Sequence, residues 1–178
     1  MPKFIFLFAL FLPVCLQAQS CQTLDLARSK IVVELDTPFG KYQGRVIKAS
    51  GWLLKDNKQK KTVISIPAGG IVLDEEGIPP IFLGFINSAL ARSIIFRSKS
   101  IVSSDVGGSY NVEGTGLVAG REFPASFPVK VLEDLDQSSL VTAEIKSKNL
   151  KEIVGIDGTA QAFFNLRFQK SMIENCVG

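Results

Sequence analysis

Three glycines stand within seven residues, at Gly114, Gly116 and Gly120. A glycine-rich loop can cradle phosphate on its backbone amides, so nucleotide chemistry is the first candidate. The spacing is G-x-G-x-x-x-G, one residue longer than a dinucleotide fingerprint, and Arg121-Glu122 follows where a phosphate loop needs Lys and then Ser or Thr. What comes next is strand, not helix: Phe123, Ala125, Phe127 and Val129 alternate with Pro124, Ser126 and Pro128. Ala119-Gly120-Arg121 therefore reads as a hairpin turn, and Gly114 and Gly116 as points where a strand is crowded or curves.

The other chemistry-bearing residues are sparse. The chain has no histidine, which removes the usual general base, the Ser-His and Cys-His nucleophile systems and histidine metal sites. Carboxylates cluster at Asp74-Glu75-Glu76 and at Glu133-Asp134 with Asp136. Both groups sit where turns are expected and read as solvated charges, not acid/base machinery. The basic stretch Lys55-Asp-Asn-Lys-Gln-Lys-Lys61 has no interleaved aromatics and also reads as a solvated turn. The expectation is a protein that is not an enzyme, holds no metal or cofactor, and does not bind nucleic acid.

The first residues have a separate role. MPKFIFLFALFLPVCL opens with one Lys, runs apolar from Phe4 to Leu12, and leads to Ala18 and Ser20. This is the pattern of a secretory signal peptide spanning residues 1–20. Its removal takes away Lys3 alone among the charged residues and leaves a nearly balanced chain. Cys15 goes with it, so Cys21 and Cys176 remain at opposite ends of residues 21–178. Two cysteines in an exported chain suggest one disulfide. Closing so long a loop contributes up to about 5 kcal/mol by chain entropy. Lipidation of Cys21, which would anchor a lipoprotein, is the alternative, although Ala18-Gln19-Ser20 is a poor lipobox. Two free thiols are a third option. The location expected is periplasmic or secreted.

These residues must be positioned by strands. β patterning is expected over 27–35, 42–55, 62–66, 71–73, 93–102, 109–118, 122–132, 140–145 and 160–169, with bends at Gly44 and Gly51. The last is clearest, because Phe164, Leu166 and Phe168 alternate with Asn165 and Arg167. Residues 77–91, GIPPIFLGFINSALA, carry no charge. They are too short and too broken to span a bilayer. Phe82, Phe85, Ile86 and Leu90 are spaced for one face of a short helix near residues 80–91 that plugs a core or touches lipid. With no repeat or linker, residues 21–178 read as one all-β domain, a sandwich or a barrel.

At this point the motifs resemble a family. Ile95-Phe96-Arg97-Ser98, then Gly114-Thr-Gly-Leu-Val-Ala-Gly120, then Phe123-Pro124-Ala-Ser-Phe127 follow the order seen in the YceI-like, lipocalin-like polyisoprenoid-binding family. Upstream, Gly44-Arg-Val46 and Ala49-Ser-Gly51-Trp-Leu53 match two further elements in spacing. The likeness covers about residues 40–168. It departs from the family at Glu75-Glu-Gly-Ile-Pro-Pro-Ile-Phe82, where many members carry Arg-Asp-x-His-Leu, and at Ala119, where a His often stands.

The resemblance implies an antiparallel, lipocalin-like β-barrel of about eight strands with an elongated apolar pocket. It implies an isoprenoid-type chain as the ligand, an apolar lipid being the only partner expected. The candidate lumen residues are Val46, Phe82, Phe85, Phe96, Phe127, Phe164, Leu166 and Phe168. The alternative is a barrel with a filled core, serving as a structural or protein-interaction module. The sequence sets no oligomeric state.

Overall fold

In the computed structural model, the described residues are 19–56, 59–74, 77–135, 137–147 and 150–176. The leader expected at residues 1–20 lies outside them, apart from Gln19 and Ser20. Eleven strand segments make one antiparallel sheet: β1 Ser20–Leu24, β2 Lys30–Thr37, β3 Gly40–Val46, β4 Ser50–Lys55, β5 Lys60–Ile66, β6 Ile71–Leu73, β7 Ile94–Ser103, β8 Ser109–Val118, β9 Arg121–Asp134, β10 Ser138–Ser147 and β11 Thr159–Ser171. Two helices interrupt them, α1 Pro80–Leu90 and α2 Leu150–Val154.

The sheet closes on itself. The ring runs β1-β4-β5-β7-β8-β9-β10-β11, and β11 pairs back to β1. It is a closed eight-stranded antiparallel barrel, the architecture the resemblance implied. Eight strands enclose an interior just wide enough for packed side chains or one small ligand. The long strand β11 carries both partners on one edge, with Leu24 opposite Phe168 in β1 and Ile31 opposite Phe164 in β2. From β2 the sheet extends upward as a flap through β3 to β6.

Local chemistry explains where the segments begin and end. The strand expected from Ala27 starts only at Lys30, because Leu26–Arg28 form a 3-10 turn between β1 and β2. The break between β3 and β4 falls at Ile47–Ala49, not at Gly44 or Gly51. It is fixed by the amides of Ile47 and Lys48, which both donate to the Gly70 carbonyl (2.8 and 3.2 Å). The β8–β9 hairpin turns on Ala119 and Gly120, both with positive φ (52° and 80°), with Val118 paired to Arg121. Two central residues of positive φ make a type I′ turn, which matches the strand twist. α1 starts at Pro79-Pro80, where a proline costs no hydrogen bond.

Cys21 and Cys176 are bonded to each other, with Cα atoms 5.9 Å apart, and both are buried. The bridge pins β1 to the 3-10 turn Ile173–Cys176 that follows β11. With its sulfur in that bond, Cys21 has no thiol to offer an acyl anchor. Among the described residues, no helix is long and apolar enough to cross a membrane.

Candidate functional site

Directly paired residues of neighbouring strands share a face of the sheet, so register tells which side chains point into the barrel. Ile31, Leu166 and Phe168 form a buried cluster with Leu24, Val46, Ala49, Leu53, Ile64, Val141 and Phe164 packed on it. This cluster fills the lower interior. A second cluster caps the upper end: Phe82, Ile86 and Ile78 pack on Leu35, Tyr42 and Leu73 of the flap, with Leu150 and Ile156 beside them. The Phe82 ring is fully buried, 5.1 Å from Tyr42 and 5.5 Å from Phe39.

Between these clusters lies a wall that neither covers. Phe96 sits opposite the inward Ile64 and opposite Gly116, which in turn faces Phe123. Ala125 pairs with Gly114, Phe127 with Val112, and Val129 with Ala143. The inward side chains of β9 are Phe123, Ala125, Phe127, Val129 and Val131. All five remain half-exposed, as do Phe96, Ala143 and Ile145. None of them belongs to either buried cluster. These inward apolar side chains keep solvent access, so some space beside them is open, whereas Val112, opposite Phe127 on the same face, is buried.

Gly114 shapes that space. A Cβ at this position would run into the Arg97 carbonyl oxygen and come within 2.8 Å of the Phe96 ring. With no side chain at residue 114, the Phe96 ring lies across β8 and meets Phe127 at 5.2 Å, tilted 56°. The crowding expected at this glycine is therefore real; at Gly116 the nearest atom to a Cβ is 3.9 Å away.

The lower end is closed by polar groups. Lys55 and Lys60 are directly paired and share the inward face of Leu53 and Ile64. They were expected in a solvated turn; instead they end strands, and only 57–58 of that stretch lie outside the described residues. Lys55 Nζ pairs with Asp134 Oδ1 and donates to Ser139 Oγ at 2.7 Å. Ser139 in turn donates to Asp134 at 3.0 Å. Lys60 Nζ donates to the Tyr110 hydroxyl at 3.0 Å. Gln22 is buried; its amide donates to the Leu135 carbonyl at 3.3 Å, while its Oε1 has no hydrogen-bond partner.

Asp134 ends β9 in an ion pair, with its side chain still 42% exposed. Partial burial pushes its pKa up, but the hydrogen bond and charge of Lys55, with Ser139 and Lys60, outweigh that and hold it below its ordinary value. Its neighbour Glu133 faces outward and pairs with Arg167 at 3.1 Å. Glu75, Glu76 and Asp136 lie outside the described residues.

The sequence-derived candidates therefore divide. Phe96 and Phe127 meet in the open wall. Phe164, Leu166 and Phe168 share the inward face of β11, but Leu166 and Phe168 are packed into the lower core, with Val46 and Phe164 against it. Phe82 centres the upper cap. Phe85 stands on the exposed face of α1, since the helix buries Phe82 and Ile86 instead. Phe123, Ala125 and Val129, read in the sequence as an alternating strand face, join the wall without having been lumen candidates, as do Ala143 and Ile145. Their period-two pattern was the available signal.

Two further grooves lie on the outer surface. One, of about 390 Å³, is lined by Glu34, Asp36, Lys41, Gln43 and Gln161 among others. The other, of about 270 Å³, is bordered by Lys30, Val32, Phe163 and Asn165. The first has a polar rim; the second is mainly apolar, with Phe164 also in its lining, and both open on the outward side of β2 and its neighbours.

No protein-family sequence model matches the chain, and no curated protein sequence is detectably similar. Its fold is nevertheless shared. The crystal structure of BcnA from Burkholderia cenocepacia superposes with a TM-score of 0.59 at 17% identity, over 81% of this chain and 98% of that one. A polyisoprenoid binding domain from Saccharophagus degradans, implicated in plant cell wall breakdown, superposes with a TM-score of 0.58 at 12% identity, over 87% and 99%. At such identities the likeness is one of fold, and it agrees with the YceI-like architecture anticipated from the motifs.

Proposed function

We propose that this protein is an exported, non-catalytic binding protein for an apolar or amphiphilic lipid with an isoprenoid-type chain, held inside the barrel. One observation carries the reading: Phe96, Phe123, Phe127, Val129 and Ile145 point inward yet are not packed into either core cluster. A chain laid along this wall buries apolar surface on both sides at about 0.8 kcal/mol per methylene, before the cost of ordering it. The affinity needs no headgroup contact. The polar floor below and the α1 cap above limit where the chain can run.

The shared fold supports the ligand class, because one similar structure is a polyisoprenoid binding domain. The Cys21–Cys176 bond supports export, since disulfides persist in oxidising compartments. The leader-like residues 1–20 point the same way. The site proposed is a binding surface with no bound metal or cofactor.

Mass spectrometry of an organic extract of protein purified from its native source tests the proposal. A lipid with a long isoprenoid chain, near one per protein chain, is the expected result. Repeated lipid-free extracts of folded protein would count against it.

A further inference from the structure

The barrel wall is not paired along its whole height. β9 runs from Arg121 to Asp134 and β10 from Ser138 to Ser147, yet their ladder ends at Val129 opposite Ala143. Above that level Arg121–Pro128 pair only with β8, and Glu144–Ser147 only with β11. Continuing the register sets 125–128 opposite 144–147, four residues on each side, and at about 3.4 Å each they make an unpaired slot roughly 14 Å long.

The sequence explains why the pairing stops there. The Val131 amide donates to Gly108, on the β8 side. Amide direction alternates along a strand, so residues 129, 127, 125 and 123 aim their N–H at β8, and 128, 126, 124 and 122 aim at β10. Residues 124 and 128 are prolines. Two of the four donors that would extend the ladder past Val129 on this side are missing, the first of them at the position next in line, and proline belongs on unpaired edges. Across the top, Arg121 Nη1 donates to the Glu152 carbonyl of α2 at 2.9 Å and bridges the two walls there. The inward residues of β9 beside the slot are Phe123, Ala125 and Phe127, which lead to Phe96.

We propose that the slot between β9 and β10 is the side opening through which the apolar chain of an amphiphile enters and leaves the barrel, its polar end remaining outside. The proposal rests on the lipid-binding function proposed above. The cap of α1 on the flap then need not move for uptake.

The test clamps the slot. Ser126 and Lys146 are both exposed and stand at the same level on its two sides. Ser126→Cys with Lys146→Cys, bridged by a cleavable bis-methanethiosulfonate linker, ties the walls together. Glu113→Cys with Ser126→Cys, across a ladder that is already paired, is the control clamp. The probe is a geranylgeranyl chain carrying a dansyl headgroup, followed by stopped-flow fluorescence. The slot clamp should slow both uptake and release by about tenfold or more, leave the equilibrium affinity unchanged, and be reversed by cleaving the linker. The control clamp should change neither rate. Ala125→Trp, which fills the slot from β9, should slow uptake as well, with melting measured to confirm the fold. Equal rates in clamped and unclamped protein overturn the side opening while leaving the binding function intact. Failure of the unmodified protein to take up the probe overturns the lipid reading itself.

Discussion

Phe127 and Phe168 both point into the barrel, but their surroundings predict different costs of truncation. Phe168 is 3% exposed and packed in the lower cluster with Ile31 and Leu166. Phe168→Ala deletes a ring from a filled core, which costs about 3–5 kcal/mol. Phe127 is half-exposed and its recorded ring contact is Phe96 at 5.2 Å. Phe127→Ala loses that pair and part of a burial contribution, about 1–2 kcal/mol together. At about 2–4 °C per kcal/mol for a chain of this size, melting should fall by about 6–20 °C for Phe168→Ala and 2–8 °C for Phe127→Ala. Circular dichroism melts of the lipid-free protein, with urea titrations at 25 °C, measure both. Equal losses would refute the reasoning, because Phe127 would then have to be packed as tightly as Phe168.

Three other outcomes follow from named contacts. Cys176→Ser opens a loop of 155 residues and should lower stability, by up to about 5 kcal/mol on chain entropy alone; urea titration reads it, and unchanged stability contradicts the bridge. Gly120→Ala places a side chain at φ 80° and should cost about 1–2 kcal/mol without altering lipid affinity in the folded fraction, so a selective loss of affinity with unchanged melting contradicts a purely conformational role. Because the Asp134 pKa is lowered in the fold, its ion pair with Lys55 contributes stability above the ordinary carboxylate pKa. That contribution fades as pH falls through the lowered value. Asp134→Asn should therefore flatten the acid limb of the stability curve, and an unchanged limb rules the pair out as a source of it.

The sequence showed strands more clearly than it showed space. Thr159–Ser171 was legible because Phe164, Leu166 and Phe168 alternate with polar residues, and the Ala119-Gly120 turn because Gly120, which accepts positive φ freely, stands between two alternating runs, although Ala119 takes φ 52° only at a cost. Alternation identifies which face points inward, but not how near the opposite wall stands. Phe127 and Phe168 look alike in sequence for that reason. The polar floor was hidden by its composition. A run of lysines reads as solvated, although Lys60, Thr62 and Ile64 share one parity, which was the signal that placed Lys60 indoors. Asp134 was harder, since the ladder slips between Leu140 and Val141 and shifts the parity of β9 at Leu132. β1 carried too few apolar residues to stand out, so Gln22 was not placed. α1 was found as a helix, but 82, 85, 86 and 90 span more than one packed face, and Phe85 is the residue left outside.

The central claim is that the interior along β7 to β10 receives an apolar chain. A single indole at the meeting point of Phe96 and Phe127 tests it most directly. The chain has one tryptophan, Trp52, which pairs with Thr23 and Val63 on the outward face of β4. Phe127→Trp in a Trp52→Phe background leaves the reporter inside the barrel alone. Titration with geranylgeraniol should give a saturable blue shift at one equivalent per chain, as water is displaced from the wall. An emission spectrum that stays unchanged through the titration, in protein shown by circular dichroism to be folded, would contradict the account.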